Sequence, residues 1–156
     1  MIKKIPLTQG KVALVDDEDF SYLMQWNWYA MKSRGEKWYA VRDEGKIPFR
    51  KKILMHRVIL NASDETEIDH KDNDGLNNCR SNLRDCTTTQ NMANRGRQVN
   101  NTSGYKGVYW HKPKRKWRAV IYVSKKEVFL GYYSDPVEGA KAYDKAATKY
   151  FGPFAK

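Results

Sequence analysis

The sequence predicts an α+β chain built from small antiparallel sheets and few helices. Three observations predict it. Apolar residues mostly alternate with polar ones in short runs, the period of half-buried strands. Gly, Asn, Asp and Pro punctuate those runs where turns are needed. A helical period is confined to a few stretches, and Ala140, Tyr143, Ala147 and Tyr150 give one of them a single apolar face.

The N-terminal elements follow in order. Gln9-Gly10 is a turn signal between IPL and KVALV. Asp16 or Asp17 can cap a short helix over residues 18–25. Trp26, Trp28 and Tyr29 alternate with polar residues, as a half-buried strand would. Residues 37–42 and 51–60 continue the strand pattern, with turns at Arg34-Gly35 and over residues 43–48. The Trp and Tyr residues of this segment read as core. His56, in MHR, reads as a packed or phosphate-facing histidine, and the sequence assigns it no catalytic role.

Charge narrows the class. The 156 residues carry 29 Lys and Arg against 18 Asp and Glu, a formal charge of +11. On a small aromatic-rich chain, that balance points to nucleic acid before any other partner. No apolar run approaches the ~20 residues of a membrane span. The N-terminus lacks the apolar core of a signal peptide. The expectation is therefore a cytoplasmic protein with no membrane and no small-molecule substrate. Cys79 and Cys86 are not in CxxC spacing, which argues against structural zinc and against a disulfide framework.

The chain is organised around residues 68–91, IDHKDNDGLNNCRSNLRDCTTTQN. Asp69 and His70 stand side by side, on opposite faces if they lie on a strand. A polar, Asn-rich loop follows over residues 72–81, and Asn82 and Leu83 close it. A helix capped from residues 87–89 then carries Asn91. Asp69 and Asn91 offer two hard oxygen ligands, which suits one divalent metal that keeps several waters, Mg²⁺ or else Mn²⁺. His70 can approach a water from a direction that the metal leaves open. Lys71 and Arg84 are candidate phosphate contacts or solvated charges.

This segment resembles the HNH nucleases, whose ββα-metal fold sets an Asp-His pair on a hairpin and a last ligand on the helix. The resemblance implies that Asp69 and Asn91 hold the metal, that His70 is the general base, and that Asn82 closes the loop and orients the histidine. The motif ends in Asn rather than His, as in the phage and intron-encoded homing branch, so a phage-encoded origin is implied too. The likeness covers about one sixth of the chain, with four positions agreeing in order and spacing.

Residues 96–104 read as a polar linker, and Arg97 within it and Arg95 just before it can ride over phosphates. Residues 105–156 read as a three-stranded antiparallel sheet covered by one helix. The strands fall at 105–111, 117–123 and 128–133, with turns at 113–115 and at Lys125-Lys126. Asp135-Pro136 opens the helix. The uncovered face of such a sheet fits the major groove of B-DNA. Tyr105, Gly107, Val108, Trp117, Ala119, Ile121, Leu130-Gly131 and the run AYDKAA give this module a resemblance to the plant ethylene-response-factor (Apetala-two) DNA-binding domain. That resemblance implies DNA contacts at Lys106, Tyr109, His111, Val120, Tyr122, Glu127 and Phe129, with Lys106 and Tyr122 foremost. Lys114, Arg115, Lys116 and Arg118 add expected phosphate contacts.

The expected organisation is an N-terminal β-rich segment over 1–55, an HNH core over 56–95, a linker over 96–104 and an Apetala-two-like domain over 105–156. The expected function is a metal-dependent DNA endonuclease acting on double-stranded DNA. One base and one metal cut one strand, so a single copy nicks and a DNA-induced dimer would be needed to cut both. Two other readings stand beside it: a sequence-specific DNA binder with a silent core, and a basic RNA-binding protein.

Overall fold

The computed structural model describes residues 1–33, 37–96 and 101–155. Among the described residues it is a mixed α+β structure of ten strands and four α-helices, with the strands in small antiparallel sheets. The chain divides into two compact units, Met1–Cys86 and Thr87–Lys156. That division precedes the polar stretch where a linker was expected. Residues 97–100 of that stretch, Arg97 included, lie outside the described residues, as does the expected Arg34-Gly35 turn. No helix among the described residues is long and apolar enough to cross a membrane.

The first unit begins with a hairpin, β1 (Ile2–Pro6) and β2 (Val12–Asp16), in the register Ile5↔Ala13. Ile5, Ala13 and Val15 alternate inward, as period two requires. Helix α1 (Asp17–Leu23) follows directly, with Asp16 at its N-cap. The Asp16 side chain does not cap the helix; its Oδ2 instead accepts from the Arg80 backbone N–H at 2.7 Å. The expected strand at Trp26 starts only at Tyr29. Trp28 turns inward before it and donates its indole N–H to the Leu23 carbonyl at 2.8 Å. Strands β3 (Tyr29–Lys32), β4 (Trp38–Glu44) and β5 (Lys51–Leu54) form one sheet in that order.

The run at residues 51–60 corrects the reading of one continuous strand. It is β5 up to Leu54 and then a helix, α2 (Met55–Ile59). A short apolar run does not distinguish strand from helix by periodicity alone. Here the switch buries Met55 and Ile59, four residues apart, on one helical face. Arg57 donates to the carbonyls of Ser63 and Thr66, fixing the connection that leads into the next strand.

Strands β6 (Glu67–His70) and β7 (Leu83–Cys86) make the second hairpin, in the register Asp69↔Arg84 and His70↔Leu83. One core runs under the whole unit. Ile5, Val15, Leu23, Ala40, Met55, Ile68, Leu76 and Leu83 meet in it, so the first hairpin, α1, β4, α2 and the second hairpin share a single interior.

The second unit opens with α3 (Thr88–Asn94). Thr87 accepts from the Gln90 N–H, and the Gln90 side chain accepts from the Thr87 N–H, a reciprocal capping box. Strands β8 (Val108–His111), β9 (Lys116–Val123) and β10 (Lys126–Tyr133) form an antiparallel sheet with β9 in the centre. The expected strand over 105–111 begins three residues late, because Gly107 has φ +71° and breaks the extended run. Helix α4 (Pro136–Phe151) starts at Asp135, whose side chain accepts from the Val137 N–H at 2.8 Å. Its buried stripe is Gly139, Tyr143, Ala146, Ala147 and Phe151. Tyr143 and Ala147 of the expected stripe are buried, and its two ends fall one residue off: Ala140 is half-buried and Tyr150 is exposed. Tyr150 and Phe151 are neighbours with similar apolar character, so spacing alone does not say which faces the sheet.

Candidate active site and nucleic-acid interface

Asp69 and His70 are both buried, at 4 % and 6 % exposure. Strand alternation sends them to different surroundings. Asp69 faces its cross-strand partner. Arg84 Nε and Nη2 donate to Asp69 Oδ2 at 2.9 and 2.7 Å. Arg84 is thus an ion-pair partner rather than a solvated charge. Lys71 donates to the Ser81 carbonyl at 2.6 Å, bridging the mouth of the loop.

His70 lies in a cage of rings. His56 meets it edge to face with centroids 4.9 Å apart, and Tyr39 lies 6.0 Å from His70 and 5.9 Å from His56. Gly75 lets the loop close against this cage. A Cβ there would lie 2.3 Å from the Trp38 carbonyl oxygen and 2.7 Å from the Tyr39 ring. His56 is packed, as one of its two expected readings had it, but the sequence did not show that it packs on His70. Its signal was the helical spacing of Met55 and Ile59, which fixes where the intervening residue points.

The loop over residues 72–82 is held by a carboxylate–amide network. Asp72 Oδ1 accepts from Asn82 Nδ2 at 2.9 Å and from the Asp74 N–H at 2.8 Å, and Asp72 Oδ2 accepts from Asn77 Nδ2 at 2.7 Å. Asn82 also donates to the Asn77 carbonyl at 2.8 Å and accepts from the Asp72 N–H at 3.1 Å. Burial alone would raise the Asp72 carboxyl, but the bonds from Asp74, Asn77 and Asn82 outweigh it and hold it below the usual range. Asn82 therefore closes the loop, as expected.

The side chain that meets the histidine is a different asparagine. Asn78 is fully buried, and its Oδ1 lies 3.3 Å from His70 Nε2. Its Nδ2 donates to the Leu76 carbonyl at 3.2 Å, which fixes the amide orientation. Oδ1 must then face the ring as an acceptor, so Nε2 carries the proton and the imidazole lone pair sits on Nδ1. Asn78 was missed because NNCRSN offers three asparagines, and only the fold selects among them.

The first hairpin locks this loop in place. The Leu14 N–H donates to the Leu76 carbonyl at 2.9 Å, and the Asn78 N–H donates to the Leu14 carbonyl at 2.8 Å. Arg80 Nε and Nη2 grip the two Asp19 oxygens at 2.9 and 2.7 Å, a fork geometry that fixes orientation as well as charge.

Burial pushes His56 down to about 3, helped by the nearby His70 and Arg57. Burial also lowers His70; its bond to Asn78 and the charges of Asp72, Asp69 and Asp74 oppose the shift without cancelling it. Both rings are thus neutral at pH 7. Below pH 6.5 the unfolded chain takes up a proton at His56 that the folded protein excludes. Stability is therefore expected to fall as pH drops from 6.5 toward 3. His56 alone should remove roughly 2 kcal/mol by pH 5. Denaturant midpoints at pH 7 and pH 5, in EDTA, check this against His56→Phe, whose loss should be smaller by that amount. Equal losses in both proteins would contradict it.

Among the described residues, no three His, Cys, Asp or Glu side chains gather to hold a metal ion. The expected ligand pair uses one carboxylate and one carboxamide. Asp69 lies on β6 in the first unit, and Asn91 lies on α3 in the second.

The second unit carries the charge. Residues 87–156 hold 14 Lys and Arg against 4 Asp and Glu, which is +10 of the chain's +11. Pairing and alternation put Tyr109, His111, Arg118, Val120, Tyr122, Glu127, Phe129 and Tyr132 on the sheet face opposite α4. Tyr109, His111, Arg118 and Tyr122 thus stand on the open face, as expected. Lys114, Arg115 and Lys116 form the exposed turn at one end of it. Lys106 does not stand there: it precedes β8, donates to the Ala93 carbonyl and lies 5.8 Å over the Tyr143 ring. Gly107 causes this by turning the chain before the strand begins. Arg95 is exposed and borders a groove of about 510 Å³ with Lys106, Tyr109, Tyr122 and Lys125.

No protein-family model matches the chain, and no solved structure matches its fold.

Proposed function

We propose that the protein is a metal-dependent DNA endonuclease of HNH type that nicks duplex DNA, with the basic second unit bringing it to its substrate. The observation that carries this reading is the Asp69–His70 pair in its buried loop, with the imidazole held neutral and its tautomer fixed by Asn78. A neutral histidine locked at one nitrogen, beside a buried carboxylate, is the equipment of a general base next to a cation site.

On this reading His70 Nδ1 takes a proton from the attacking water, and Asn78 keeps the ring from rotating as it does so. Tyr39 and His56 pack the imidazole. Asp72, Asn77 and Asn82 hold the loop closed. The donor chemistry fits Mg²⁺: the Asp69 carboxylate and the Asn91 carboxamide, the ligands that the HNH resemblance implies, would supply hard oxygens. Asp69 already balances its charge against Arg84, so a metal at this carboxylate competes with that ion pair. When bound, the metal supplies charge stabilisation at the phosphate.

Supercoiled plasmid carrying a randomised insert tests the proposal. Protein with Mg²⁺ is expected to convert it to open circle, and EDTA is expected to stop the reaction. Plasmid that stays supercoiled in Mg²⁺ contradicts the enzyme reading and favours a DNA binder with a silent core.

A further inference from the structure

The open face of the second unit's sheet is rich in ring faces and poor in groups that read base edges. Tyr109, Tyr122 and Phe129 are 40 %, 56 % and 51 % exposed. Phe129 and Tyr132 lie 5.0 Å apart on β10, and His111 lies 5.1 Å from Tyr132. An apolar ring half in water is an unfilled contact.

Arg118, Tyr122, Glu127 and His111 on this face are already engaged with neighbouring groups. Reading base edges in a duplex needs the forks and amides of Arg, Lys, Asn or Gln. Among the described residues of this face, Arg118 is the one guanidinium fork, and both its terminal nitrogens donate to Glu127. Tyr122 Oη donates to the same carboxylate at 2.9 Å. His111 Nδ1 accepts from the Lys114 N–H at 3.3 Å. Glu127 is neutralised by Arg118, so its charge does not repel a polyanion.

Cations bracket the rings. Lys114 sits 4.5 Å over Tyr132 at one end, beside Arg115 and Lys116. Lys125 stands at the other, in the β9–β10 turn, and Lys126 opens β10 beside it. A backbone could run from one basic turn to the other while its bases turn down onto the sheet. Duplex bases are stacked on each other and do not offer their faces; unpaired bases do.

We propose that this face binds single-stranded DNA by stacking its bases on Tyr122, Phe129 and Tyr109, with phosphates on the two basic turns. The proposal rests on the DNA-binding half of the function proposed above and not on its catalytic half. It makes a duplex with an unpaired stretch the preferred docking site.

Anisotropy titrations of the full chain in EDTA test it, using a labelled 20-nucleotide oligo-dT, a 20-base-pair duplex and a 20-nucleotide oligo-rU at equal salt. The single DNA strand is expected to bind most tightly. Phe129→Ala and Tyr122→Ala should each weaken that binding roughly 5- to 150-fold, the range for loss of one stacked base, and leave duplex binding within about twofold. Phe129→Trp should retain it, which separates stacking from a folding defect. Equal losses for strand and duplex, no loss, failure of the Trp variant, or a preference for RNA would each overturn the inference. Duplex binding and plasmid nicking that survive such a result would leave the nuclease reading standing. No binding to any of the three would overturn both.

Discussion

Gly107→Ala is expected to destabilise the second unit by about 2–5 kcal/mol. Gly107 has φ +71°, in the left-handed region, and an alanine there carries a strain of about 1–2 kcal/mol. The added Cβ would also lie 2.2 Å from the Tyr143 ring and 2.5 Å from the Val120 carbonyl oxygen. Neither neighbour can yield easily. Tyr143 is buried in the core with Ile121, Ala147 and Phe151, and Val120 is on the central strand. Overpacking of that kind costs about 1–3 kcal/mol more. The Gly107 carbonyl also accepts from the Val120 N–H at 2.9 Å, so displacing Gly107 loosens the start of β8. Denaturant unfolding and amide exchange at β8 and β9 read the effect. A lowered midpoint with faster exchange at Val120 is the expected result, and an unchanged midpoint would contradict this account of the turn.

His70→Ala is expected to lower nicking by about 10²- to 10⁴-fold, the range for loss of a positioned general base. DNA affinity should change little, because +10 of the net charge lies in residues 87–156 and His70 is neutral and buried. The substitution also leaves Asn78 Oδ1 without its ring partner and opens space beside His56 and Tyr39. Some loss of stability is therefore expected as well, roughly 1–3 kcal/mol for an unsatisfied buried amide. Measuring the folded fraction and the bound fraction alongside the rate separates that loss from the chemical effect.

Much of this arrangement was legible in the sequence because it is local. The loop closed at Asn82, the cap at residues 87–89 and the three strands after residue 105 follow from spacing and turn chemistry within short windows, and the hairpin around Asp69 and His70 is what the HNH resemblance implied. What was not legible depends on tertiary contact. Asn78, rather than Asn82, meets His70 because β2 pins the Leu76–Asn78 backbone through Leu14, a contact some 60 residues distant. His56 reaches the same cage because residues 55–59 are helical, and the short apolar run did not reveal that. Asp16 reads as a helix cap, yet its carboxylate binds the Arg80 N–H. Lys106 falls at a position expected to touch DNA, but the turn at Gly107 directs it toward Ala93 and Tyr143.

The measurement that bears most directly on the central claim is the single-turnover nicking rate of supercoiled plasmid in Mg²⁺, for the parent protein and for His70→Ala at equal DNA occupancy. A parent rate at least about 10²-fold above the variant, with both bound equally, is the predicted result. Equal rates in the two proteins would show that the Asp69–His70 loop is not where the phosphodiester is cut.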